Sequence, residues 1–167
     1  MKSTWNNNND NNMLVYANML YGTQPNFVYV KTNKIGMTPT RVVGNKFALH
    51  LPRRVFLKSK RWQLVFLNIS CAFPFGTNPV YREVLEVKQN KNLKIEIMNT
   101  QDGSTYFNNF LIRITNCSRM SVILKRNTPI ITVKVLNAMR ELTPIKVKQI
   151  LYNRNDVESN GEVEIIY

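Results

Sequence analysis

Residues 110–136, FLIRITNCSRMSVILKRNTPIITVKVL, read as three strands joined by two turns. Phe110, Ile112 and Ile114 oppose Arg113 and Thr115, and further on Ile131, Val133 and Val135 oppose Thr132 and Lys134. Successive strand side chains point to opposite faces, so this alternation is what a sheet with one face on a core requires. Asn116-Cys117-Ser118 and Arg126-Asn127-Thr128-Pro129 supply the turn residues between the β-branched runs.

The same signals extend towards the N-terminus. Phe27–Val30, Arg41–Val43, Trp62–Ile69, Val80–Val87 and Leu93–Ile97 are rich in β-branched and aromatic residues, and Leu93, Ile95 and Ile97 alternate with Lys94 and Glu96. Turn signals at Thr38-Pro39, Phe73-Pro74-Phe75-Gly76 and Gln101-Asp102-Gly103 divide them at the close spacing of a sandwich or barrel. Met13–Tyr21 is apolar and too short for periodicity to decide between helix and strand. Ala138–Leu142, closed by Pro144, is the one later helix candidate. The expectation is one all-β domain over 13–167, preceded by a disordered arm at 1–12 whose six asparagines have little to bury.

Composition narrows the chemistry. The 167 residues hold 23 Lys and Arg against 10 Asp and Glu, a formal net charge of +13, with one histidine and two cysteines. Residues 1–140 carry 20 basic and 5 acidic groups, a net +15, and 141–167 carry 3 and 5, a net −2. The acidic end therefore reads as a strand or tail that docks on a basic barrel. No run approaches the roughly 18 apolar residues of a membrane span, and the N-terminus lacks an apolar signal core. The expectation is an intracellular protein, neither secreted nor membrane-bound, with Cys71 and Cys117 reduced.

Arg53, Arg54, Lys58, Lys60 and Arg61 form the densest basic cluster, beside Phe56 and Trp62. These residues are the candidate polyanion-binding site: the cations would neutralise phosphates and an aromatic ring would stack on a base. A solvated loop between strands is the bland alternative. His50, flanked by leucines, reads as a packed strand residue. Glycines are dispersed, no phosphate loop is present, and Asp102 is the one aspartate in the body of the chain, so no catalytic, metal or cofactor site is expected.

Residues 44–137 also resemble the dUTPase-like barrel in the order of their segments. Gly44–Leu49 (GNKFAL) stands where that fold has G-Y-D-L, and Ile69–Gly76 (ISCAFPFG) resembles its apolar strand ending in P-x-G. Ile112–Asn116, Val122–Asn127 and Ile130–Val133 resemble its closing run. The resemblance implies an antiparallel dUTPase-like barrel and, by fold analogy, a homo-oligomer, a trimer. It also implies that the enzyme's reactive letters are lost. The aspartate of G-Y-D-L is replaced near Ala48, P-R-S has no counterpart around Arg82-Glu83-Val84, and Gly103 stands for an aspartate while Tyr106 is kept. Pro129 and Thr132 replace the arginine and glutamine of R-I-A-Q.

A barrel of this size without the enzyme's site resembles the baculovirus telokin-like proteins. That resemblance implies a non-enzymatic viral accessory protein of the host cytoplasm or nucleus, acting through protein or nucleic-acid contacts without a cofactor. Two alternatives stand beside it: a divergent nucleotide hydrolase with a pocket around Asp102 and Tyr106, and a basic nucleic-acid-binding β-barrel. The charge alone predicts weak, sequence-indifferent association with DNA, which gel-shift assays should show falling steeply between about 50 and 200 mM salt.

Overall fold

The computed structural model describes residues 11–16, 26–33, 35–84, 92–99 and 105–151. Among them every regular element is a strand. In chain order these are β1 (Asn11–Tyr16), β2 (Phe27–Thr32), β3 (Thr40–Val43), β4 (Lys46–His50), β5 (Val55–Leu57), β6 (Trp62–Phe66) and β7 (Ile69–Ala72). They continue as β8 (Asn78–Glu83), β9 (Leu93–Ile97), β10 (Tyr106–Phe107), β11 (Leu111–Asn116), β12 (Val122–Leu124), β13 (Pro129–Leu136) and β14 (Thr143–Leu151).

Four sheets result, in the orders β1-β14-β2-β7-β10, β6-β11-β9, β12-β5 and β3-β4-β13-β8. Their inner faces supply one apolar core, in which Phe47, Leu49, Ile112, Ile114, Ile131 and Val133 are at most 1% exposed. The alternation in β9, β11 and β13 is borne out: Leu93, Ile95, Ile112, Ile114, Ile131, Val133 and Val135 are buried, and Lys94 and Lys134 are exposed. β7 is buried at all four residues because a second cluster, with Tyr29, Ala72, Ile145, Val147 and Ile150, packs on the other face of its sheet.

Several expectations need correction. The pairings are antiparallel except for β1 with β14 and β14 with β2, which are parallel. The run Trp62–Ile69 is two strands in different sheets. Asn68 breaks it with φ 59°, its carbonyl accepting from Asn33 N–H at 2.9 Å and its amide donating to Asn109 Oδ1 at 3.0 Å. Gly36 is required where the β2–β3 connection crosses this corner, since a Cβ there would sit 2.0 Å from the Asn68 carbonyl oxygen.

Ala138–Leu142 is not helical. Its polar backbone is taken by the β3–β4 turn: Asn45 donates to Arg140 O at 3.0 Å and accepts from Leu142 N–H at 2.7 Å, while Arg41 donates to Leu142 O. Of Val80–Val87 the described part begins in the strand Asn78–Glu83, and of Met13–Tyr21 the described part lies in β1; 17–21 and 85–87 lie outside the described residues. Asn11 and Asn12, assigned to the arm, stand in β1. The rest of that arm, Asp102, Gly103 and the acidic residues beyond 151 lie outside the described residues.

Among the described residues one buried polar side-chain atom is unpartnered. Tyr81 lies edge-on to Phe107, with centroids 4.9 Å apart, and its hydroxyl has no hydrogen-bond partner. Burial first, and Cys71 second, push its phenol up, and burial alone pushes up the Cys71 thiol. Tyr81→Phe should therefore stabilise the fold by about 1 kcal/mol in urea denaturation. Stability should also fall in alkali, because in the unfolded chain these groups ionise near their ordinary values of 9.0 and 10.0 while the buried ones stay neutral. The stability present below the thiol's ordinary value is lost at up to about 1.4 kcal/mol per group per pH unit above it, with a shallower slope in Tyr81→Phe. A flat profile would contradict the burial.

Candidate functional site

The four-stranded sheet β3-β4-β13-β8 turns one face to the core and leaves the other open. On the open face lies a groove of about 740 Å³. Register builds it row by row. Thr40, Ala48, Thr132 and Arg82 pair across the four strands, and beside them Lys46 faces Lys134, which faces Val80. Val42, Val80 and Leu136 give it apolar walls.

Its charge is unbalanced. Lys46 and Lys134 are direct cross-strand partners, a like-charge arrangement that a sheet ordinarily avoids. Arg82 lies on the adjoining strand, its guanidinium donating to the Tyr81 carbonyl at 3.1 Å. None of the three cations has an ion-pair partner among the described residues, and Glu83 is the one carboxylate lining the groove. Three cations against one carboxylate attract an anion, and Arg82 offers the planar donor set that matches phosphate or carboxylate.

His50 closes one end of the groove as a fixed polar post. A carbonyl can only accept, so Nδ1–H donates to Asn127 O at 3.1 Å, and in the neutral ring Nε2 accepts from the Thr40 hydroxyl at 2.8 Å. Both ring nitrogens are engaged.

The structure divides the basic cluster picked out by spacing. Arg53 and Arg54 precede β5 and Lys58 follows it, so extended chain separates them by about 3.3 Å per residue. The pairing of β5 with β12 places Lys125 and Arg126 by the first end and Arg119 by the second. At the second end Lys60 donates to Cys117 O at 2.6 Å and Ser59 to Ser118 O at 2.6 Å. All five cations are exposed. Trp62 is 58% exposed and lies in β6, under the Arg113 guanidinium at 5.8 Å, and Phe56 pairs with Ile123 on another sheet. Tyr106 sits in β10, where burial, and next Cys71, raise its phenol.

The groove escaped sequence reasoning because its residues come from four segments between Thr40 and Leu136. The one signal was the resemblance, whose positions Ala48, Arg82 to Val84, Pro129 and Thr132 all line it. Among the described residues no group of three or more His, Cys, Asp or Glu could hold a metal ion.

The class defined by this architecture is the dUTPase-like β-fold. The Staphylococcus bacteriophage 80alpha dUTPase with dUpNHpp superposes with a TM-score of 0.56 at 15% identity, covering 71% of this chain and 88% of that one. A mutant dUTPase from phage phi11 of S. aureus, described for its structural Mg(II) ion, gives 0.55 at 13% identity, covering 71% and 95%. At such identities the likeness is one of fold. No family model and no curated protein matches the chain.

Cross-strand like charges destabilise by a few tenths of a kcal/mol or more, so Lys134→Thr should raise stability by about 0.5 kcal/mol at low ionic strength. The gain should shrink as added salt screens the pair. Urea denaturation at two salt concentrations measures it, and a destabilised variant would show that the repulsion is absent.

Proposed function

We propose that the chain is a non-enzymatic binding protein on a dUTPase-like β-fold, whose sheet-face groove holds a phosphate-bearing ligand without cleaving it. The carrying observation is the joint arrangement of Lys46, Lys134 and Arg82 around Ala48, Pro129 and Thr132. The cations keep the attraction for phosphate. The side chains of Ala48 and Pro129 can neither ligate a metal nor activate water, and His50 already holds two hydrogen-bond partners. Cations that cost stability on a sheet face persist most simply because a bound anion offsets their repulsion.

Within this reading the chain is a viral accessory protein of the telokin-like kind, working inside the host cell by contact. The resemblance of a barrel of this size without the enzyme's reactive letters to the telokin-like proteins supports that assignment. The basic ends of β5 add long-range attraction for polyanions.

Calorimetry with inorganic triphosphate and with dUTP, alongside pyrophosphate release in magnesium, tests the proposal. Binding should weaken about tenfold in Arg82→Ala and in Lys46→Ala, the scale of one charge-assisted hydrogen bond. Release should stay at background, since loss of preorganised groups costs powers of ten in rate. Release that Asp102→Asn abolishes would establish the divergent hydrolase instead.

A further inference from the structure

β5 and β12 form a two-stranded ribbon whose solvent face carries one aromatic ring between two groups of cations. Exposure alternates along β5 and its flanks, so Arg54, Phe56 and Lys58 share the outer face while Val55 and Leu57 are buried. β12 alternates in the same way, with Ser121, Ile123 and Lys125 exposed and Val122 and Leu124 half-buried. Phe56 pairs directly with Ile123, and the two are 51% and 56% exposed. The same register holds again at Leu51, whose N–H donates to Thr128 O at 2.9 Å, so Arg54 comes opposite Lys125 and Arg53 opposite Arg126. At the other end the bonds of Ser59 and Lys60 to the Ser118 and Cys117 carbonyls bring Arg119 towards Lys58.

The charge of this ribbon is one-sided. Residues 51–61 hold five Lys and Arg, residues 117–128 hold three, and neither segment holds an Asp or Glu. None of these cations joins an ion pair among the described residues. Like charges set opposite one another destabilise a strand pair, and an apolar pair left in water gains nothing from burial. A ligand with phosphates along its length and a flat apolar face between them offsets both.

We propose that this ribbon binds single-stranded nucleic acid, with one base stacked on Phe56 and the flanking phosphates held by the cations at the two ends. Strand geometry sets the scale: Arg54 and Lys58 each stand two residues from Phe56, about 6.6 Å at roughly 3.3 Å per residue. An extended strand crossing the ribbon lengthwise therefore meets cation, ring and cation in turn, and Ile123 supports the edge of the same base. A duplex keeps its bases stacked inside and uses only the cations, so the ring selects a single strand. An anionic bilayer would find two apolar side chains hemmed by charge, far less than the apolar face of an interfacial helix. Trp62, the other ring beside these cations in the sequence, belongs to β6 in a different sheet and lies under the Arg113 guanidinium at 5.8 Å. The ribbon shares no residue with the groove of Lys46, Lys134 and Arg82, and its binding does not depend on that site.

The test is fluorescence anisotropy of the full chain with a labelled dT oligonucleotide of about twelve residues, beside a duplex of the same length and vesicles of phosphatidylserine. The single strand should bind about tenfold more tightly than the duplex, the scale of one stacked base. Phe56→Leu should lose about that factor with the salt dependence unchanged, and Phe56→Trp should retain the affinity. Arg54→Ala should lower the slope of log affinity on log salt by about 0.7, the share of one phosphate of a single strand. Lys94→Ala, which removes an exposed cation on β9, should leave that slope as it is. Circular dichroism should be the same for every variant. Equal affinity for strand and duplex, an affinity indifferent to Phe56→Leu, a loss in Trp62→Ala in its place, or equal slopes in Arg54→Ala and Lys94→Ala would each overturn the proposal. So would vesicle binding that depends on Phe56 in a chain that ignores the oligonucleotide.

Discussion

The side chain of Asn116 holds the barrel's weakest corner. It is 0% exposed, and its Nδ2 donates to the carbonyls of Leu57, Lys58 and Met120 at 3.1, 3.3 and 2.8 Å. Its Oδ1 accepts from the backbone N–H and the hydroxyl of Ser118. β5 and β12 are three residues each and, among the described residues, pair only with one another. This carboxamide joins the end of β11 to β5 and to the chain entering β12, beside the bonds of Ser59 and Lys60 to the Ser118 and Cys117 carbonyls. Stranding the buried Leu57 carbonyl would cost about 1–3 kcal/mol, the penalty for an unsatisfied polar group. The turn at residues 58–61, with Lys60 at φ 59°, is fastened here, and it sets the entry of the chain into β6.

Asparagine takes four of the five non-glycine positions with positive φ among the described residues. Asn68, Asn109, Asn127 and Asn137 adopt positive φ, which asparagine tolerates better than most residues, and few glycines are available to do so. Asn99 carries the same role between strands, donating to Asn109 O at 2.8 Å and accepting from Leu111 N–H at 3.0 Å. A composition that looks biased is thus the turn chemistry of a many-stranded fold.

With corners held by amides, the sheet faces are free to carry opposite kinds of surface. The open face of β3-β4-β13-β8 concentrates positive charge, accepting the repulsion of Lys46 and Lys134 across one pair. The outer face of β6-β11-β9 carries the apolar side chains of Trp62, Leu64 and Phe66, with Glu96 shared between Arg113 and Lys94. The exposed basic ends of β5 add to the field around the molecule without forming a single cluster.

Alternation in Leu93–Ile97, Phe110–Thr115 and Ile130–Leu136 was legible in the sequence because inside and outside are properties of a strand taken alone. The all-β class and most strand positions follow from it, as do the turns at Gly76 and Asn127. The segment order in residues 44–137 pointed further, to the fold and to six residues of the groove. What the sequence could not specify is which strands become neighbours. The parallel insertion of β14 between β1 and β2, the break at Asn68, the loss of a helix at 138–142 and the meeting of Lys46 with Lys134 all depend on contacts between distant segments. Those contacts are chosen when the whole core closes, since a pairing is favourable only if every sheet can bury its apolar face at once. Periodicity therefore determined the faces, and tertiary packing decided what each face met.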